Sequence, residues 1–218
     1  MLRDVAEVQL TRVKADLVLE AEVSLIDCGY AGSTGRIEEA LVGRGRRLPD
    51  LARVVITHGH PDHAGSAREL AALGIPILIH PADAVNLRLT WRDALAQRTR
   101  GSVFSAMTPE PPEVQPIEDG QVLPMLGGLR VVHTPGHTPG SVCLYSPRDR
   151  VLFVGDALQR RFGRVSFASG LYSDDLAAAK RSVKRMAALD VETLVFSHFA
   201  ALEGGAAEVL ASLADQSG

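Results

Sequence analysis

His58-Gly59-His60-Pro61-Asp62-His63 stands directly after the apolar run at 51–56. In an extended segment, side chains two residues apart point the same way, so His58 and His60 can converge on one cation. If the chain turns into a helix at Asp62, the adjacent Asp62 and His63 are directed elsewhere and can serve a second cation. Imidazole mixed with carboxylate suits zinc, and also iron or manganese, whereas structural zinc sites are usually rich in cysteine. Three of the chain's seven histidines fall within this motif, a density that a solvated polar turn does not require.

Before the motif, Val-, Leu- and Ile-rich runs at 7–10, 17–19 and 23–26 predict strands, the last ending at Asp27-Cys28-Gly29. A helix is predicted over 34–42, closed by Gly43 and the basic turn Arg44-Gly45-Arg46-Arg47. After the motif, 64–73 reads as a helix stopped by Gly74, 76–79 as a strand, and Pro81 as the opening of another helix. Strands are predicted at 129–132, 142–145, 151–154 and 193–196, the middle pair joined through Ser146-Pro147-Arg148-Asp149. Leu176, Ala179, Val183, Met186 and Ala187 recur at helical spacing within 173–189, with Ser173 as N-cap and Asp174 and Asp175 in the first turn. A terminal helix is predicted over 206–213.

The stretch 91–116 differs. It shows no clean periodicity, carries several arginines and Thr108-Pro109-Glu110-Pro111-Pro112, and reads as a lid with some helix. Strands and helices are otherwise mixed, with no linker and no short repeat, so 1–218 is expected to be one α/β domain.

Single chemistry-bearing residues recur at strand ends, where a site on a sheet rim draws its ligands. His137 sits in the tight turn Thr134-Pro135-Gly136-His137-Thr138-Pro139-Gly140, Asp156 follows Val-Leu-Phe-Val-Gly, and His198 follows Leu-Val-Phe-Ser. Each alone is weak; their conjunction with the histidine motif, in this order, gives them weight. His80 and His133, both beside proline-containing turns, read as structural, and Thr57 and Thr134 as residues that orient loops.

With these residues in place, the chain resembles the metallo-β-lactamase superfamily from Leu25-Ile26-Asp27-Cys28-Gly29 to Ser197-His198, nearly its whole length. The resemblance implies a four-layer αββα sandwich with the metals in a groove at one rim of two sheets. It implies His58, His60 and His137 on one metal, Asp62, His63 and His198 on the other, and Asp156 bridging them. Asp27 and Gly29 would support the ligands from behind. The final motif departs from the usual Gly-His-Gly, reading Ser197-His198-Phe199, so Phe199 is expected to narrow the pocket. The tyrosine that acylhomoserine lactonases carry shortly after the bridging aspartate is missing, and Gln159 stands three residues beyond Asp156.

Composition excludes other classes. The chain has 218 residues, 46% hydrophobic and 22% charged, with a formal net charge of −3, which gives no general attraction to nucleic acid or anionic membrane. No run approaches the roughly 18 apolar residues of a spanning helix, and the N-terminus lacks a signal-peptide pattern. Two cysteines, Cys28 and Cys143, both in apolar runs, read as reduced core thiols of a cytoplasmic protein.

The resemblance therefore implies a metal-dependent hydrolase of a small molecule, with an ester, thioester, lactone or amide as the bond cleaved. Two divalent cations, zinc first and iron or manganese as alternatives, about 3.5–4 Å apart would share a water and give hydroxide at neutral pH. Asp62 is expected to shuttle protons as well as bind metal. The alternatives are an oxidoreductase like the sulfur dioxygenases, holding one iron on His58, His137 and Asp156, and a non-catalytic binding module of the same fold. Arg160, Arg161 and Arg164 could pair with an anionic substrate or form a solvated basic loop. Arg88, Arg92, Arg98 and Arg100 leave the same choice open near the lid, while Trp91 and Phe104 could cover an apolar portion of the substrate or pack the lid against the body.

Overall fold

The structure is a computed structural model that describes residues 3–87, 108, 110–111, 113–168 and 170–217. One six-stranded sheet runs in the order β1 (Val5–Gln9), β2 (Lys14–Leu19), β3 (Val23–Ile26), β4 (Leu51–Val55), β5 (Ile77–Ile79), β6 (Gln115–Pro116). Its first three strands pair antiparallel and its last four parallel. The second sheet contains β7 (Val122–Leu123), β8 (Leu129–His133), β9 (Val142–Ser146), β10 (Val151–Phe153), β13 (Thr193–Val195) and β14 (Leu202–Glu203), in the order β14-β13-β10-β9-β8-β7. A separate hairpin is built from β11 (Leu158–Arg161) and β12 (Arg164–Phe167).

Side-chain alternation sorts each strand between two apolar layers. Val18, Ile26, Val55 and Leu78 of the first sheet meet Val131, Leu144, Phe153 and Val195 of the second. On the outer face of the first sheet, Leu17, Leu25, Val54 and Ile77 pack with Ile37 and Leu41 of α1 (Thr34–Val42) and Leu70 of α3 (Ala67–Ala72). On the outer face of the second, Cys143, Leu152 and Leu194 pack with Val183 and Met186 of α5 (Leu176–Ala187) and Leu210 and Leu213 of α6 (Ala206–Asp215). The layers are helix, sheet, sheet, helix, as expected. No helix among the described residues is long and apolar enough to cross a membrane.

Several predicted elements change. The helix expected over 64–73 is two: α2 (Pro61–Ala64), opening on proline within the histidine motif, and α3. Between them Gly65 lies so close to the backbone of Tyr30, Ala31 and Pro61 that a Cβ would overlap all three, and Ser66 Oγ donates to Tyr30 O at 2.7 Å. Docking against that loop interrupts the helix. A further helix, α4, spans Pro81–Asn86. Gln115–Pro116, expected within the lid, is an edge strand of the first sheet; residues 91–107, 109 and 112, with Arg88, Trp91, Arg92, Arg98, Arg100 and Phe104, lie outside the described residues. The N-cap of α5 is Asp175, whose carboxylate accepts from Ala178 N at 2.9 Å, not Ser173.

One core position is electrostatically costly. Asp16 on β2 is 5% exposed, and its Oδ1 has no hydrogen-bond partner among the described residues. Burial lifts its pKa to about 7, with Lys14 pulling the other way. The unfolded chain releases this proton near pH 4, whereas the folded chain holds it until about pH 7. Stability therefore falls as pH rises through that window, and the penalty is complete above it. Asp16→Asn is expected to stabilise the protein by about 2–4 kcal/mol at pH 8 and hardly at all at pH 4. Urea unfolding at the two pH values checks this; an equal gain at both would contradict it.

Candidate metal centre

β4 delivers Thr57 and then the extended segment carrying His58 and His60, before Pro61 starts α2. His58 Nε2 lies 3.1 Å from His60 Nδ1. His137 comes from the turn after β8, across the sheet-to-sheet seam, and its Nε2 lies 3.0 Å from the same His60 Nδ1. Gly136 makes this approach possible: at φ +140° it sits so tightly on Ala179 of α5 that no side chain fits.

α2 aims Asp62 and His63 at a neighbouring point. His198, just beyond β13, brings its Nε2 within 3.3 Å of His63 Nε2 and 3.3 Å of Asp62 Oδ2. Asp156, beyond β10, sits between the two groups: Oδ1 is 3.4 Å from His198 Nε2 and 3.6 Å from His63 Nε2, while Oδ2 is 3.6 Å from His137 Nε2. All seven side chains singled out in the sequence converge, and the triads His58/His60/His137 and Asp62/His63/His198 each present donor atoms close enough to hold a metal ion.

The charge states divide along the same line. Burial, reinforced by neighbouring imidazoles, holds His58 well below its usual pKa and His60 at about 3; burial lowers His137 as well. These three rings are neutral and offer lone pairs. Burial also acts against His63, but the carboxylates of Asp27, Asp62 and Asp156 outweigh it and hold the ring up to about 9. His198 rises to about 11, since hydrogen bonds to Asp156 and Asp62 overcome its desolvation. Asp62 is half-buried, which works against its charge, yet His63 and His198 bring it down to about 2, and Asp156 is depressed further by the same neighbours.

The donor set fits divalent metal. His60 Nδ1 faces two other ring nitrogens at once, and a single proton can satisfy only one of those two contacts; a cation can accept lone pairs from all three nitrogens. Two carboxylates and five imidazoles suit zinc or iron. The thiols take no part: Cys28 Sγ donates to His63 O at 3.2 Å, and burial pushes Cys143 up to about 12.

The outward ring nitrogens of His58, His63, His137 and His198 are held as well, which fixes ring orientation and tautomer. Asp27 Oδ2 lies 2.7 Å from His63 Nδ1, and the same carboxylate accepts from Thr57 N and Thr57 Oγ1 at 2.8 and 2.9 Å. Thr57 Oγ1 lies 3.2 Å from His58 Nδ1, Ser173 Oγ 3.3 Å from His137 Nδ1, and His198 Nδ1 donates to Arg12 O at 2.8 Å. Asp27 and Thr57 were anticipated; Ser173 and Arg12 were not.

Asp83 was missed altogether. Fully buried on α4, it accepts from Gly59 N at 2.7 Å, Gly140 N at 2.6 Å and Thr138 Oγ1 at 2.7 Å. It thereby staples the loop carrying His58 and His60 to the turn carrying His137. In sequence it is only an acidic residue in a helix's first turn. His80 and His133 stack on each other with ring centroids 4.1 Å apart and stand outside the metal-ligating groups.

A cavity of about 420 Å³ opens onto the cluster, its floor including His60, Asp62, Asp156 and His198. Phe199 and Gln159 line it, as does Arg161. The three arginines flagged after Asp156 thus separate: Arg160 donates instead to Ala200 O and Ala201 O, and Arg164 stands across the hairpin ladder from Arg161, off the cavity wall.

A sequence model of the Metallo-beta-lactamase superfamily matches residues 17–198. The chain belongs to this superfamily. An uncharacterized protein of Aquifex aeolicus is 36% identical over 147 residues, covering 65% of this chain and 64% of its own length, just under two thirds. The probable metallo-hydrolase YflN of Bacillus subtilis is 30% identical over 196 residues, covering 80% of this chain and 74% of YflN. A hydroxyacylglutathione hydrolase of Maricaulis maris is 31% identical over 151 residues, covering 67% of this chain but only 47% of that protein. Among solved structures, a superfamily protein from Thermus thermophilus, TTHA1429, shares the fold at a TM-score of 0.78 and 24% identity, over 99% of this chain and 79% of its own. TTHA1623 in a di-iron-bound form superposes at 0.72 with 29% identity, over 95% of this chain and 97% of its own. This superfamily member thus carries the metal-binding, hydrolase-type fold with its histidine–aspartate cluster in place.

Proposed function

We propose that the chain is a dinuclear metal-dependent hydrolase of a small ester, thioester, lactone or amide. The observation that carries this reading is Asp156, whose two carboxylate oxygens face different histidine groups. His58, His60 and His137 would hold one cation and Asp62, His63 and His198 the other, with Asp156 between the two groups. Two divalent cations so placed supply Lewis acidity toward a carbonyl oxygen and make a water nucleophilic near neutral pH.

The chain's own residues do the rest. Neutral His58, His60 and His137 bind without first losing protons, whereas His63 and His198 give theirs up on loading. Asp62, 19% exposed on the cavity floor, takes up and returns the proton exchanged at the reacting centre. Phe199 and Leu158 give the cavity apolar lining beside the cluster.

Zinc is the first expectation, and the di-iron form of TTHA1623 supports iron as the alternative. Mass spectrometry of metal content, beside assays on thioesters, lactones, β-lactams and phosphodiesters, tests the reading. Two divalent metals per chain and hydrolysis abolished by a chelator are expected. One iron per chain would favour the dioxygenase alternative instead. Metal at a thousandfold excess over its Kd contributes about 4 kcal/mol. Stripping it is therefore expected to lower Tm by about 10 °C, which differential scanning calorimetry measures.

A further inference from the structure

We infer that Arg12 and Arg161 form an anion-recognition site at the cavity mouth, selecting substrates that carry a carboxylate away from the scissile bond. The assignment of that bond rests on the hydrolase reading; the anion site itself rests on the two arginines.

They arrive from unrelated elements, Arg12 from the turn between β1 and β2 and Arg161 from the end of β11, yet both line the same cavity. Arg53, Arg148, Arg150 and Arg185 each meet a carboxylate, and Arg160 meets two carbonyls. The guanidinium groups of Arg12 and Arg161 meet no carboxylate among the described residues. Glu7, which shares a neighbouring hollow with Arg12, is taken by Lys14 at 2.7 Å. Among the described residues, the carboxylates lining the cavity are Asp62 and Asp156, both engaged with histidines. Among these same residues, an anion entering the cavity therefore meets two arginines that contact no carboxylate, and no carboxylate that is not already engaged with histidine.

The backbone of Arg12 adds a second argument. Its φ of +61° is a left-handed conformation in which glycine or asparagine is the ordinary occupant. Its carbonyl accepts from His198 Nδ1, so a proposed ligand fixes the base of this side chain. An arginine kept in a strained position, anchored to the cluster and turned to the cavity, fits a role for its charge. Its planar fork suits bidentate contact with a carboxylate.

The test compares the zinc-loaded protein with its Arg12→Asn and Arg161→Gln variants; asparagine tolerates the left-handed backbone, and Tm controls for folding. Substrates are the mono-4-nitrophenyl ester of glutaric acid, its carboxamide counterpart and the phosphonate analogue. The preference of kcat/KM for the carboxylate over the carboxamide ester is expected to fall about tenfold in each variant, mainly through KM, and to shrink at high salt. Arg12→Lys is expected to restore part of it. In parallel, calorimetry measures binding of glutarate against its monoamide, which lacks the second carboxylate; a roughly tenfold preference for glutarate should vanish in the double variant. If both esters react equally in the parent and the variants, anion recognition is overturned and the hydrolase reading stands. If neither ester reacts but the glutarate preference is arginine-dependent, the anion site stands and the hydrolase reading fails. A tenfold preference for the phosphonate overturns the carboxylate assignment.

Discussion

Asp156→Ala is expected to lower kcat/KM by about 10³-fold or more while the protein stays folded, and His60→Ala to do the same. The two act differently. Among the described residues Asp156 alone brings a carboxylate to both groups, so its loss separates one cation position from the other and removes the counter-charge facing His63 and His198. His60 supplies the nitrogen that both His58 and His137 approach. Its removal leaves the first group with two donors, too few for tight divalent binding. Kinetics run beside metal analysis and circular dichroism check both variants. Full activity in either one refutes the site.

The second large effect is expected at a residue that touches no substrate. Asp83→Ala leaves the buried amides of Gly59 and Gly140 without their acceptor and loosens Thr138. Unsatisfied buried donors cost about 1–3 kcal/mol each, so a loss on the order of 3–5 kcal/mol is expected, or about 10 °C in Tm. Thr138 recovers part of its loss through Ser141 Oγ, 2.7 Å away. Asp83→Asn is no conservative rescue, because its amide NH₂ would face at least one backbone N–H. Metal affinity at the His58, His60 and His137 group should weaken together with Tm. A variant as stable as the parent would show that the staple contributes nothing.

How much of this was legible in the sequence follows from the range of the forces involved. The helix predicted at 34–42 is found at Thr34–Val42, because Ile37 and Leu41 face the sheet one helical turn apart and the signal is local. The cluster was legible because histidines and aspartates at strand ends are uncommon and seven of them recurred in a known order. The hairpin of β11 and β12 escaped because Leu158–Arg161 and Arg164–Phe167 bury little on either face. Its tight turn is set by Phe162 and Gly163, both at positive φ. β6, β7 and β14, at two residues each, are too short to show any period. Asp83 is significant only through partners 24 and more positions away. Ser173 was placed as a cap because Ser173, Asp174 and Asp175 are all competent; tertiary contact with His137 decided which of them caps.

The supports of the cluster and the walls of its cavity come from different parts of the chain. Asp27 at the end of β3 and Asp83 on α4 brace the histidine loops, whereas the hairpin bearing Arg161 supplies none of the seven converging side chains. A mutation on that hairpin can therefore recut what the cavity admits without disturbing the chemistry beneath it. Laboratory evolution toward a new substrate should find its tolerated changes concentrated there, with the bracing aspartates untouched.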